Sequence, residues 1–279
     1  MFLVLHFKTI SITFNYSSFS FDVKILENSM KIAVSGKGGV GKTTFSGTLT
    51  RIFSQKGYNI IAIDADPSMN LHTALGVANP TPVFHYKDVI EERAVIAPGI
   101  FHLNPKVDDI PELYSSKDKN IQLLVMGTIE KGGEGCICSE SSFLKALMRH
   151  LVLRRKELLI LDNEAGVEHL GRNVAKGFDL MIILTEPTVK AVETANQIYN
   201  LSKEIGIKEI IAVGTKTSIK DDEKFISKNL IFPVLGFIPY DKTVVVADRE
   251  GKSLYNYTES SVFSAISYLS NKIESKIKK

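Results

Sequence analysis

The chain has 279 residues, 44% hydrophobic and 23% charged, the profile of a globular protein with a substantial core. Formal net charge is only +3, so the composition calls for neither nucleic acid nor an anionic membrane as partner. No apolar run reaches the length of a membrane span, and two cysteines are too few for a secreted disulfide framework, which points to a reducing cytoplasm.

Residues 1–29 lack glycine and proline yet hold five of the 15 phenylalanines, and Ile12, Phe14 and Tyr16, then Phe19, Phe21, Val23 and Ile25, alternate as strand residues do. A basic n-region and a small-residue cleavage site are missing, which argues against a secretory signal. An edge hairpin, a partner-binding arm, or sequence upstream of a true start at Met30 would each fit. The last is preferred, because Met30 stands one residue before the first core strand.

From Met30 the chain alternates, and 30–279 is read as one domain. Apolar strand-like runs at 31–36, 59–65, 122–127, 157–162, 180–185, 209–214 and 234–238 are separated by helix-compatible stretches at 42–56, 142–154, 188–205 and 221–229, with a last one from about 260 to 277. Strands apolar throughout are buried on both faces. Their alternation with helices predicts an α/β fold, a doubly wound and mainly parallel sheet with helices on both faces, whose ligands sit beyond the carboxyl ends of the strands.

The first strand leads into GKGGVGKTT, a phosphate-binding loop in its strand-turn-helix setting. Gly36, Gly38, Gly39, Val40 and Gly41 let backbone N–H groups turn toward nucleotide phosphates, and the following helix aims its partially positive end at the same charge. Lys42 would reach the β- and γ-phosphates, Thr44 continues the loop, and the Thr43 hydroxyl would take a place on Mg²⁺. Lys37 sits where its ammonium points away from phosphates held by its own chain. Its natural target is a nucleotide on a second subunit, which predicts a homodimer with ATP at its interface.

Later strand ends carry the other candidates. Asp64 and Asp66 close the second strand, and Asp66, nearer the loop, is the better candidate to orient the water that attacks the γ-phosphate; the bland alternative is a helix cap. Asp162 ends a fully apolar strand, where the carboxylate that holds Mg²⁺ in such enzymes belongs. Gly166 would offer its N–H to the γ-phosphate, making 164–172 a switch. Thr215, Lys216, Thr217 and Ser218 offer no carboxylate to read guanine, so adenine is expected, against a wall at Pro239, Tyr240 and Asp241.

Cys136 and Cys138 are separated by one residue in a glycine-rich loop ahead of a helix expected near Ser139. Such a pair supplies half of a tetrahedral site, and a two-fold dimer would supply the rest, for Zn²⁺, Ni²⁺ or an iron–sulfur cluster. Two unliganded thiols or a local disulfide are the alternatives. Val262, Ile266, Leu269, Ile273 and Ile277 make a helical stripe that ends in lysines, read as packing on the sheet rather than as a stable membrane anchor.

These residues resemble the deviant phosphate-loop ATPases that include MinD, ParA, the nitrogenase iron protein and the CooC-type nickel-maturation factors. Within that superfamily the chain is similar to CooC-type proteins from Met30 to about Leu269, through GKGGVGKTT, DADPSMNLHTALG, the LNP of 103–105, VMGTIEKGGEGCIC, EAGVEHLGR, TEPTVKAVETANQI and GFIPYD. The resemblance implies an ATP-dependent homodimer that helps insert nickel into carbon monoxide dehydrogenase or acetyl-CoA synthase. It also implies Lys37 as the signature lysine, Asp66 as the catalytic carboxylate, and Cys136 with Cys138 as interface ligands. An iron–sulfur redox ATPase and a membrane- or DNA-binding positioning ATPase are the rival readings.

Overall fold

The computed structural model describes residues 30–97, 99–128, 137–155, 157–164 and 172–277, the side chains of 137, 138, 172, 173 and 277 aside. The readings made for 1–29, for Cys136 and for Gly166 lie outside the described residues.

The chain opens with β1 (Lys31–Gly36), buried at every position, and turns into α1 (Lys42–Gln55). There follow β2 (Ile60–Asp64), α2 (Leu71–Leu75), α3 (Lys87–Ala94), a small hairpin of β3 (Val95–Ala97) and β4 (Ile100–Phe101), and α4 (Ile110–Tyr114). Next come β5 (Ser116–Asp118), β6 (Ile121–Val125), α5 (Ile137–Leu153), β7 (Leu158–Asp162) and α6 (Arg172–Ala175). The last part runs β8 (Leu180–Thr185), α7 (Val189–Ile205), β9 (Glu209–Thr217), α8 (Lys220–Asn229), β10 (Val234–Pro239), α9 (Thr243–Arg249) and α10 (Ser261–Ile277).

Among the described residues, eight strands form one sheet in the order β10-β9-β8-β1-β7-β2-β6-β5, parallel except for the antiparallel edge strand β5. All seven expected strands are present. The order reverses around β1, which pairs with both β7 and β8, and this puts the carboxyl ends of three central strands around the loop that follows β1.

Alternation within each strand feeds two cores. Leu159 and Leu161 join Ile61, Ile63, Phe143, Leu147 and Ile198 on one face, under α5 and α7. Leu158 and Ile160 join Ile32, Val34, Phe45, Leu49 and Phe53 on the other, under α1. The terminal stripe packs on this second face: Val262, Ile266, Leu269 and Ile273 are buried there, each worth about 2 kcal/mol. Among the described residues no helix is long and apolar enough to cross a membrane.

Two boundaries differ from expectation. β9 runs on to Thr217, so Thr215 and Lys216 lie within the strand and not after it, where irregular pairing with β10 bends the edge. α5 starts at Ile137, earlier than Ser139, which places Cys138 in its first turn rather than in the loop.

Candidate nucleotide-binding site

Between β1 and α1 the turn Lys37–Gly41 wraps around open space. Gly36 has φ 148°, and a Cβ built there would lie 2.4 Å from the Leu184 carbonyl oxygen of β8, so only glycine lets the loop leave the sheet at this point. Gly39 and Gly41 are left-handed at φ 81° and 95°, and Cβ atoms built on Gly38, Gly39 or Gly41 would meet nothing within 4 Å. α1 has no side-chain cap and no acidic residue in its first turn, which leaves its leading N–H groups free for an anion. Lys42 is buried beneath the loop, its Nζ donating to the Lys37 carbonyl at 3.4 Å.

Asp162 lies in register with Asp64 across β7 and β2, and neither has exposed surface. The Ser46 hydroxyl donates to Asp162 Oδ1 at 3.1 Å, while Oδ2 is buried with no hydrogen-bond partner among the described residues. Burial lifts the Asp162 pKa to about 7; Thr43, Ser46 and Lys42 pull it down and Asp64 pushes it up. Burial likewise lifts Asp64 to about 6, although the N–H groups of Leu71 (2.9 Å) and Asp66 (3.2 Å) bond its carboxylate. An orphaned carboxylate oxygen flanked by a threonine hydroxyl and a lysine fits a divalent cation, so Thr43 and Asp162 would hold Mg²⁺.

Asp66 stands just past β2. Its Oδ1 accepts from the Ser68 N–H (2.9 Å) and hydroxyl (2.6 Å), leaving Oδ2 without a hydrogen bond among the described residues. The Lys37 ammonium is 3.9 Å from Glu186 Oε1, at the end of β8, and Lys216 Nζ is 3.2 Å from the other oxygen of the same carboxylate.

Beside the loop, a cavity of 130 Å³ is lined by Val40, Phe45, Lys216, Ile238, Pro239 and Tyr240, among others. Thr215 ties its floor to the phosphate loop, donating to the carbonyls of Val40 (2.9 Å) and Thr185 (3.3 Å). Asp241 also borders the cavity, with both oxygens committed: Thr243 N–H at 2.8 Å on one, and Ser261 N–H and hydroxyl at 3.0 and 2.8 Å on the other. Among the described residues that line the cavity, Asp241 is the one carboxylate, and the rest of the wall is largely apolar.

The family described as the CobQ/CobB/MinD/ParA nucleotide binding domain matches residues 31–254. The chain belongs to that family. An uncharacterised ATP-binding protein of Methanocaldococcus jannaschii is 46% identical over 233 residues, spanning 81% of this chain and 91% of that protein. The carbon monoxide dehydrogenase accessory protein CooC of Rhodospirillum rubrum is 41% identical over 236 residues, 81% of this chain and 90% of that one. The fold matches the MinC:MinD cell division complex of Aquifex aeolicus at a TM-score of 0.66 and 20% identity, across 88% of this chain and 96% of that chain.

Within this MinD/ParA-type fold the protein is an ATP-hydrolysing enzyme. Val40, Gly41, Thr44, Lys216, Pro239 and Tyr240 border one cavity, and Asp162 reaches the start of α1 through Ser46, while Asp66 stands just past β2 with its N–H bonded to Asp64. Cys136 lies outside the described residues, as does the Cys138 side chain, and among the described residues no group of three or more His, Cys, Asp or Glu forms a metal site. The sequence assigns no role to Ser46 or Glu186, and Thr215 enters there only as offering no carboxylate to the base. Glu186 was findable, since it is a charged residue at the carboxyl end of an apolar strand, as Asp162 is.

Proposed function

We propose that this ATPase is a homodimeric maturation factor that handles nickel for carbon monoxide dehydrogenase or acetyl-CoA synthase. What supports the reading most is the 41% identity to CooC over nearly all of that accessory protein, in a chain that carries Cys136 and Cys138 in the block VMGTIEKGGEGCIC.

In this reading the loop N–H groups and Lys42 bind the β- and γ-phosphates, and Lys37 leaves Glu186 to complete the phosphate site of the partner subunit. Bound Mg²⁺ would neutralise charge on the phosphate oxygens. Asp66 positions water against the γ-phosphorus; the bond to the β–γ bridging oxygen breaks, and ADP and phosphate depart.

The cysteine pairs of two chains meet on the dimer axis and take up one Zn²⁺ or Ni²⁺ ion as cargo. Metal and ATP then tighten each other's binding by the same factor. Hydrolysis removes the γ-phosphate contact at Gly166, loosens the dimer and splits the metal site. The protein acts in the cytoplasm, with neither nucleic acid nor membrane as stable partner.

The test is Cys136→Ser with Cys138→Ser. The double variant should keep nucleotide binding and lose the metal of the ATP-bound dimer. Wild-type metal content in the variant would reject the assignment.

A further inference from the structure

The LNP segment of 103–105 has no part in the ATP site, yet it borders a cavity of 340 Å³. One wall is the loop of 104–108, anchored by buried Pro105 and Val107; the other is the end of α5, with Arg149 and His150 in its last turns and Arg154 just after it. α5 starts beyond the carboxyl end of β6 and returns to the start of β7. Its final turns therefore lie at the amino ends of the strands, opposite the phosphate loop, and at ~1.5 Å per residue the helix separates the two regions by roughly 25 Å.

The charges around this cavity are unbalanced. Neighbouring arginines are fully paired, Arg93 with Asp109 at 2.6 and 3.0 Å, and Arg155 with Glu112 at 2.8 Å and with Glu157. Lys106, Arg149 and Arg154 line the cavity and have no ion pair among the described residues. Among the described residues, the one hydrogen bond of the Arg149 side chain goes to a neutral group, Asn104 Oδ1 at 2.5 Å. Against three cations the lining offers one acid, Asp108.

Basic residues in a last helical turn often do no more than complement the helix dipole. That does not explain a loop lysine beside them, an arginine steered by a loop asparagine, or His150 Nε2, which is buried without a hydrogen-bond partner among the described residues. Burial, and then Arg155 and Arg154, hold the His150 pKa below its ordinary value, against the opposing pull of Asp108 and Glu112.

We propose that this cavity is a binding site for a phosphate monoester or inorganic phosphate, held by Arg149, Arg154 and Lys106. An excess of two positive charges matches a phosphate of about −1.5 to −2 at neutral pH. At ~30 Å³ per water the cavity holds the equivalent of about eleven waters, space for the phosphate and part of the molecule that carries it. The site is independent of the nickel reading and survives its failure.

The test uses the full chain with its ATP site saturated by ADP, so that added phosphate reports on the second site alone. The His150 ring resonance, assigned by its loss in His150→Gln, is followed during titration with inorganic phosphate, with glycerol 3-phosphate, and with acetate at matched ionic strength. The expected result is a saturable shift with either phosphate compound and a His150 pKa raised by about half a unit. The tighter of the two tells free phosphate from a phosphorylated ligand. Arg154→Gln, at an exposed position, should weaken binding about tenfold without altering folding or ATP turnover, and Arg149→Gln should do the same. No saturable shift with either compound, an equal shift with acetate, or unchanged affinity in both variants would overturn the site.

Discussion

Asp64 and Asp162 face each other in register on adjacent strands, both wholly buried and both with raised pKa values. Two carboxylates in that position oppose folding whenever both are ionised. Asp162→Asn keeps the acceptor for Ser46 and removes the charge. The nucleotide-free variant should be more stable than the parent at pH 8 by about 1–3 kcal/mol, while ATP turnover falls by roughly a hundredfold or more. Thermal denaturation beside a phosphate-release assay measures both, and a variant that is both active and less stable would show that this carboxylate is structural.

Gly36 and Gly38 separate the two duties of the phosphate loop. An alanine Cβ at Gly36 would press on the Leu184 carbonyl in a left-handed backbone, whereas at Gly38 it meets nothing within 4 Å. Gly36→Ala should cost about 3 kcal/mol of stability. Gly38→Ala should fold normally and bind ATP more weakly, because the added methyl occupies the phosphate cradle. Urea denaturation and a fluorescent-nucleotide titration distinguish them.

Glu186 joins Lys37 to Lys216, so the lysine assigned to the partner's nucleotide is held within its own chain while its neighbour borders the base cavity. Glu186→Gln removes the charge that holds both. ATP-dependent dimerisation should become roughly twofold to fivefold tighter, the range expected for a partly exposed ion pair, and Lys37→Ala should abolish it. Sedimentation with a non-hydrolysable ATP analogue reads both, and weaker association of Glu186→Gln would place this carboxylate in the dimer contact instead.

Asp241 gives the protein a pH-dependent tie between the base wall and α10. Hydrogen bonds from Thr243, and then from Ser261, lower its pKa from 3.8 to about 2. A carboxyl held lower in the fold than in the unfolded chain stabilises the fold above its unfolded value and loses that contribution as pH falls through the folded one. The stability advantage of the parent over Asp241→Asn should be complete at pH 6 and shrink steadily between pH 4 and pH 2, as urea midpoints will show.

The residues that declared themselves in the sequence were those whose local surroundings dictate them. Ile60–Asp64 and Leu158–Asp162 are strands buried on both faces, so they are apolar until the last residue, and that residue marks the site. The glycine loop is legible for a similar reason, since its conformation excludes side chains. β5 is three polar residues held by backbone pairing to β6, too short to show alternation, and α3 is a largely polar surface helix. Neither carries a periodic signal. The pairing of Glu186 with Lys37 and Lys216, like the Arg149 cavity, depends on segments far apart in the chain, and only the folded sheet brings those charges together.

The decisive measurement is of mass and metal content on anaerobically prepared protein supplied with nickel or zinc, once with ADP and once with a non-hydrolysable ATP analogue. The shared-interface reading predicts a dimer carrying one metal ion per two chains with the analogue, and loss of both dimer and metal with ADP. A chain that stays monomeric with the analogue, or binds metal equally well in either nucleotide state, would contradict it.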